Sequence, residues 1–207
     1  GGGLFVTNYP PDGFLSYERL SARREDLILL RVMGWADGGP AVDYTINAVA
    51  GVPWMTGAPG DGPVNHVLPA WDLLAGAYAA FSLLAAERQR RATGAGCEIR
   101  VPLSDVAAST LSNLGQVGEV LLSQQDRPQH GNALFGAFGR DFATKDGRRL
   151  MVVAITPRQW SGLIKALNLI EPVAALEAEL GVQFEADEGS RFIHRERLFP
   201  LFETAFA

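Results

Sequence analysis

Three short β-type runs, separated by helical sequence, limit this chain more than any other feature in it. The first is Leu4–Thr7 (LFVT), an apolar run broken off by Asn8, Tyr9, Pro10 and Pro11. Residues 16–24 (SYERLSARR) are helical by composition, and residues 26–33 (DLILLRVM) are a second apolar run closed by Gly34. Strands joined through a helix pair in parallel, because the crossover returns the chain to the same end of the sheet. Residues 72–91 then predict a long apolar helix, followed by a third strand run at residues 97–103 (CEIRVPL). The expectation is an α/β fold with a buried parallel sheet.

The pattern changes after the third strand. Residues 105–124 predict one long helix and residues 125–136 a polar loop. A hairpin follows, with strands near 139–143 and 149–155 and Asp146-Gly147 in the turn. Helices are expected at 157–169, at 172–180 and from 190 onward, the last interrupted by Pro200. Two domains are therefore expected: residues 1–124 as part of a large α/β domain with its connecting helix, and residues 125–207 as a smaller α+β domain. A short helix over residues 43–50 is expected to be capped by Asp43.

Composition excludes several function classes. No apolar run approaches the length of a membrane span. The single cysteine, Cys97, excludes an internal disulfide and suits a reducing cytoplasm. His66, His130 and His194 are scattered without metal-ligand spacing. A net charge of −5 argues against nucleic acid as a bulk partner, though a local basic site can still take a small anion. The opening GGGLFVTNYPP has neither the basic region nor the apolar stretch of a signal peptide, so a cytoplasmic location is expected. The chain opens on a strand and stops in uncapped helical sequence, so it is expected to be a piece of a longer chain.

The predicted helix at 72–91 carries an apolar stripe at Leu74, Ala77, Tyr78, Phe81, Leu84 and Ala85, expected to be buried. Arg88, Arg90 and Arg91 suit its C-terminal end, and Gly94 and Gly96 end it. Asp72 is the single acid in NHVLPAWDLLAG and is open to two readings. It caps the helix, or the helix N-terminus keeps it ionised as a nucleophile. Spacing leaves both open. Asn8 and Tyr9 follow a strand at the carboxyl edge of the sheet, where ligands of open α/β sheets bind, but Asn and two prolines also make an ordinary turn. The loop at residues 131–139 (GNALFGAFG) reads as a flexible lid or as the approach to the hairpin. Arg140 beside it reads as a carboxylate clamp or as a surface arginine. His66 reads as a proton donor or as a structural group at a turn.

Four stretches, taken in order, resemble the family III CoA-transferases, the formyl-CoA and carnitine CoA-transferase family. They are LFVTNYPPDGFL, VDYTINAVAGVPWMTG, VLPAWDLLAGAYAAFSLLAAERQRRATGAGCEIRVPLSDV and HGNALFGAFGRDFATKDGRRLMVVAI. NHVLPAWD, DGGPAVDYTIN and GNALFGAFGRDF are more similar to the members that move CoA between the two carboxyl groups of mesaconate than to the intermolecular ones.

The resemblance implies that Asp72 is the nucleophile and forms an aspartyl mixed anhydride. Asn8, Tyr9, Gly34 and Trp35 are then expected to hold CoA, and Gly131, Asn132, Phe135, Gly136 and Arg140 to hold the acyl group. Coenzyme A enters as part of the substrate, with no tightly bound cofactor and no metal. The oxyanion is expected to be met by backbone N–H groups at the helix start or in the Gly-rich loop. The family fold is an interlocked homodimer, with a nucleotide-binding-like large domain built from both chain ends and a small domain inserted between them. α-Methylacyl-CoA racemases, which share that fold, use a His-Asp pair where this chain has Val42-Asp43, which disfavours racemase chemistry here. The alternatives to intramolecular transfer are an intermolecular acyl-CoA:carboxylate transferase and a non-catalytic CoA-binding or dimerisation fragment.

Overall fold

A computed structural model describes residues 2–207 and divides the chain into two compact units. The first comprises Gly1–Thr56 and Gly62–Gln129, and the second Gly57–Asp61 and His130–Ala207.

The first unit is built on a three-stranded parallel sheet, ordered β1 (Leu4–Thr7), β2 (Ile28–Met33), β3 (Cys97–Pro102). Leu4 pairs with Ile28, and Ile28 with Cys97. A short helix, α1 (Tyr17–Ser21), makes the first crossover. Between β2 and β3 lie α2 (Asp43–Val49), α3 (Val52–Met55) and the long α4 (Ala70–Thr93). The helices α5 (Leu103–Asn113) and α6 (Gln116–Ser123) follow β3. The parallel α/β reading therefore holds. Ile28, Leu29 and Leu30 on the central strand are fully buried, as expected of a strand covered on both faces. Leu4 and Val6, which share one face of β1, are exposed instead of buried.

Two further expectations are corrected in this unit. The buried face of α4 is Trp71, Ala75 and Ala86, with Leu74, Ala79 and Leu83 packed partly against the same core. Of the predicted stripe, Ala77, Tyr78, Phe81, Leu84 and Ala85 are exposed. The helix is apolar on more than one face, and Leu73, Tyr78, Phe81 and Leu84 lie on the exposed side. The single helix expected at 105–124 is two helices, broken at Gly115, whose φ of 77° lies in the left-handed region that glycine adopts without a steric cost.

The second unit is an antiparallel hairpin covered by helices. The strands β4 (Phe138–Ala143) and β5 (Arg149–Ala154) pair from Phe138–Ala154 to Ala143–Arg149. Helix α7 (Pro157–Ala166) begins with a reciprocal cap: Thr156 accepts from the Gln159 N–H, and Gln159 accepts from the Thr156 N–H. Then come α8 (Ile170–Leu180), α9 (Glu188–Ile193) and α10 (Arg195–Phe206). Pro200 does not interrupt α10; the break falls earlier, at His194. The core is aromatic, with Phe138, Phe142, Trp160, Phe184, Phe199 and Phe202 all buried. Among the described residues no helix is long and apolar enough to cross a membrane.

Candidate active site

The site begins with how α4 starts. A helix N-terminus leaves its first N–H groups without intrahelical partners. The residue before α4 is Pro69, which offers no capping side chain. The acceptor comes from α2. Oδ2 of Asp43 accepts the N–H of Trp71 at 2.7 Å and the N–H of Asp72 at 3.1 Å. Asp43 therefore does not cap its own helix, where Val42 is the N-cap residue and no side chain bonds the helix start. It caps α4 from a distance, and Asp72 is relieved of that role.

The residues around this contact form a closed circuit. Oδ1 of Asp43 lies 2.5 Å from Nε2 of His66, within hydrogen-bond distance. Asn47, one turn after Asp43 on α2, is fully buried. Its carbonyl accepts the Trp71 indole N–H at 3.1 Å, and its amide donates to Asn65 at 2.8 Å. Asn65 also accepts the His66 backbone N–H at 3.1 Å. Asn47 is a member of this site that the sequence analysis does not name, and His66, a proton donor or a structural group by sequence, is bonded to Asp43. The available signal was the i, i+4 spacing of Asp43 and Asn47, which puts both on one face of a helix.

Asp72 itself stands in the first turn of α4, at the wall of a cleft of about 610 Å³. Among the described residues no group donates a hydrogen bond to its carboxylate. Its pKa is raised above the ordinary carboxylate value, first by burial and then by the negative charge of Asp43. A carboxylate so placed is unpaired, faces open space and is less stabilised as an anion than a solvated one, which suits a nucleophile.

Asn8, Tyr9 and Gly34 line the same cleft, as do Val42 and Thr45. The Asn8–Tyr9 turn is held by a buried cation that sequence reading missed. Arg31 on β2 is fully buried and donates to the carbonyls of Tyr9 at 2.6 Å, Pro10 at 2.8 Å and Leu15 at 2.9 Å. Gly34 has no room for a side chain, since a Cβ there would lie 2.4 Å from the backbone nitrogen of Ala41. Trp35 does not join this cleft; it lines a neighbouring one with Ile46 and Asp105. Neither His66 nor Asp43 lines the Asp72 cleft. Asp43 thus has a histidine partner although residue 42 is valine, but the pair is not presented to that cavity. The N–H groups of Trp71 and Asp72, candidates for an oxyanion site, are already bonded to Asp43.

The remaining candidates lie in the second unit. The Gly131 N–H donates to the Gly57 carbonyl at 2.9 Å, and Gly131 and Gly136 both adopt positive φ. Asn132 donates to Asp141 at 2.9 Å. The Phe135 ring stacks on His130 and meets Phe192 edge-on. Arg140 is ion-paired with Glu203 at 2.5 Å and lies 4.4 Å from the centre of the Phe199 ring, so a carboxylate ligand would compete with Glu203 for it. Among the described residues no group of three or more His, Cys, Asp or Glu side chains could hold a metal ion.

Comparison with known proteins places the chain in a family. The profile of CoA-transferase family III matches residues 5–207. The chain is 48% identical to 2-methylfumaryl-CoA isomerase of Chloroflexus aurantiacus, over 99% of this chain and 50% of that protein. It is 28% identical to human succinyl-CoA:glutarate CoA-transferase, over 81% of this chain and 40% of that protein. A crystal structure of a CaiB/BaiF family protein from Brucella suis superposes with a TM-score of 0.74 at 24% identity, covering 99% of this chain and 54% of that one. The chain thus spans about half the length, or less, of the curated relatives it matches. The match along nearly its whole length and the 48% identity establish that the chain belongs to family III of the CoA-transferases.

Proposed function

We propose that the protein moves CoA between the two carboxyl groups of one small dicarboxylic acid, mesaconate, with Asp72 as the covalent carrier. The observation that carries this reading is the Asp72 carboxylate itself. It is unpaired, its pKa is raised, and it stands at the wall of a cleft of about 610 Å³ on a turn capped by another acid.

The chemistry is balanced as follows. An Asp72 oxygen attacks the thioester carbonyl, the C–S bond breaks, and the thiolate leaves with the electron pair. The product is an aspartyl-acyl anhydride. The thiolate then attacks the aspartyl carbonyl, giving an aspartyl-CoA thioester and a free dicarboxylate. That acid turns, and its other carboxylate attacks the aspartyl thioester; the C–S bond breaks, the thiolate leaves again with the electron pair, and a second anhydride forms. Attack of the thiolate on the acyl carbon then releases the isomeric thioester and restores Asp72. No step needs an oxidant, a reductant or a net proton.

In this reading Asn8, Tyr9 and Gly34 form the part of the cleft that takes CoA, with Trp35 beside it. Gly131, Asn132, Phe135, Gly136 and Arg140 serve the acyl group, with Phe135 as a wall that retains the free acid. The first unit is the middle of a large domain, the second is the small domain, and the working assembly is an interlocked pair of copies. The 48% identity to an isomerase, against 28% to a transferase between two acids, supports intramolecular over intermolecular transfer.

The test is turnover of mesaconyl-CoA by the intact protein in the presence of isotopically labelled free mesaconate. The proposal expects isomerised thioester without label. Labelled thioester at the rate of turnover would make the protein an intermolecular transferase, and CoA binding without turnover would leave a non-catalytic module.

A further inference from the structure

We propose that His66 is a positioning residue: by bonding the far oxygen of Asp43 it fixes the carboxylate that holds the first turn of α4, and so aims Asp72. This rests on reading Asp72 as the nucleophile.

Asp43 is 1% exposed, so its oxygens depend on protein partners. One of its oxygens is taken by the two backbone N–H groups of Trp71 and Asp72, and the other has His66 at 2.5 Å. Partners on both oxygens set the rotation of the carboxylate; partners on Oδ2 alone leave it freer to turn about that oxygen. The histidine is itself held. Its backbone N–H is bonded to Asn65, and its ring meets Tyr44 edge-on at 5.8 Å and Trp71 at 6.3 Å. His66 therefore belongs to a rigid frame that runs from the segment before α4, through α2, and back to the N–H of the reacting residue. It does not line the Asp72 cleft, so its effect on the reaction passes through Asp43.

Geometry of this kind matters most to the chemical step. A displacement of about 1 Å at a reacting group can lower a rate by about 100-fold while binding changes little. The side chain that best mimics Nε2 of histidine is glutamine, whose amide reaches a similar distance and can donate to Oδ1 of Asp43.

The experiment compares His66→Ala and His66→Gln with the unaltered intact protein, measuring kcat and KM for the thioester at a temperature where circular dichroism shows each folded. The expected result is a kcat about 100-fold lower in His66→Ala, with KM within about threefold and most of the loss recovered in His66→Gln. Three results would overturn the proposal. One is unchanged kcat in folded His66→Ala. Another is an equal loss in both variants. The third is a loss confined to KM, which would make His66 a binding group. Should His66→Ala unfold, His66→Asn, whose shorter amide falls short of Oδ1, carries the same prediction against His66→Gln. Asp72→Ala is assayed alongside. If it is inactive while His66→Ala is fully active, only the role of His66 fails. If Asp72→Ala keeps turning over, the nucleophile reading fails, and this proposal fails with it.

Discussion

Oδ2 of Asp43 accepts the backbone N–H of Asp72 at 3.1 Å, so one acid holds the turn that carries the other. The cap and the nucleophile, two roles that a single aspartate at a helix start could fill, are divided between two side chains. This leaves the Asp72 carboxylate without a hydrogen-bonding duty and puts a negative neighbour behind it.

Removing the holding acid should loosen that turn. Asp43→Ala takes the acceptor from two N–H groups and the partner from His66, and the loss of stability should be about 1–3 kcal/mol. Asp43→Asn keeps an acceptor for the N–H pair and should lose less. Urea unfolding of the two variants beside the unaltered protein measures both.

The raised pKa of Asp72 has a sign that can be checked. Its proton is bound more tightly in the folded state, so its stabilising contribution is complete below the ordinary value of 3.8 and is lost as pH rises through the raised value. Asp72→Asn should therefore melt higher than the unaltered protein at neutral pH, and the gain should vanish at acid pH. Turnover needs the anion, so its acid limb should fall above the ordinary Asp range. Melting temperatures and rates across the same pH series give both answers.

Asp141 shows the opposite sign. The Arg149 guanidinium, and then the Asn132 amide, hold its carboxyl down to about 2. Its contribution is present above pH 3.8 and is lost as pH falls toward 2. Arg149 is largely exposed, so solvent screening keeps the effect small. Asp141→Asn should flatten the acid side of the stability curve of the second unit, read from tryptophan fluorescence at Trp160.

Gly34→Ala should damage both fold and site. The added Cβ would meet the Ala41 backbone at 2.4 Å, and Ala41 is on the cleft wall beside Asp72. Overpacking of this kind costs about 1–3 kcal/mol, and CoA binding measured by calorimetry should weaken with it.

The parts of this molecule legible in its sequence are those set by local pattern. The three β-type runs form the parallel sheet, and the hairpin around Gly147 forms β4 and β5. Gly94 ends α4 in the left-handed conformation expected of it. Where sequence reading missed, tertiary packing decided. α4 is apolar on more than one face, so periodicity could not choose between the side of Trp71, Ala75 and Leu83 and the side of Tyr78, Phe81 and Leu84. Pro200 sits inside α10 despite the steric rule for proline. The Asp43–His66 contact joins residues 23 apart, with the rest of α2, all of α3 and a loop between them, and no spacing rule reaches that far. Asp72 was readable as a candidate, but its freedom from capping was not, because the side chain that replaces it comes from another helix.

The central claim is that Asp72 carries the acyl group covalently, and the most direct measurement is to trap it. The intact protein is incubated with mesaconyl-CoA and hydroxylamine, digested, and searched by mass spectrometry for an aspartyl hydroxamate. The account predicts the hydroxamate at Asp72, dependent on the thioester and absent without it. An unmodified Asp72 under turnover, together with undiminished activity in Asp72→Ala, would contradict it.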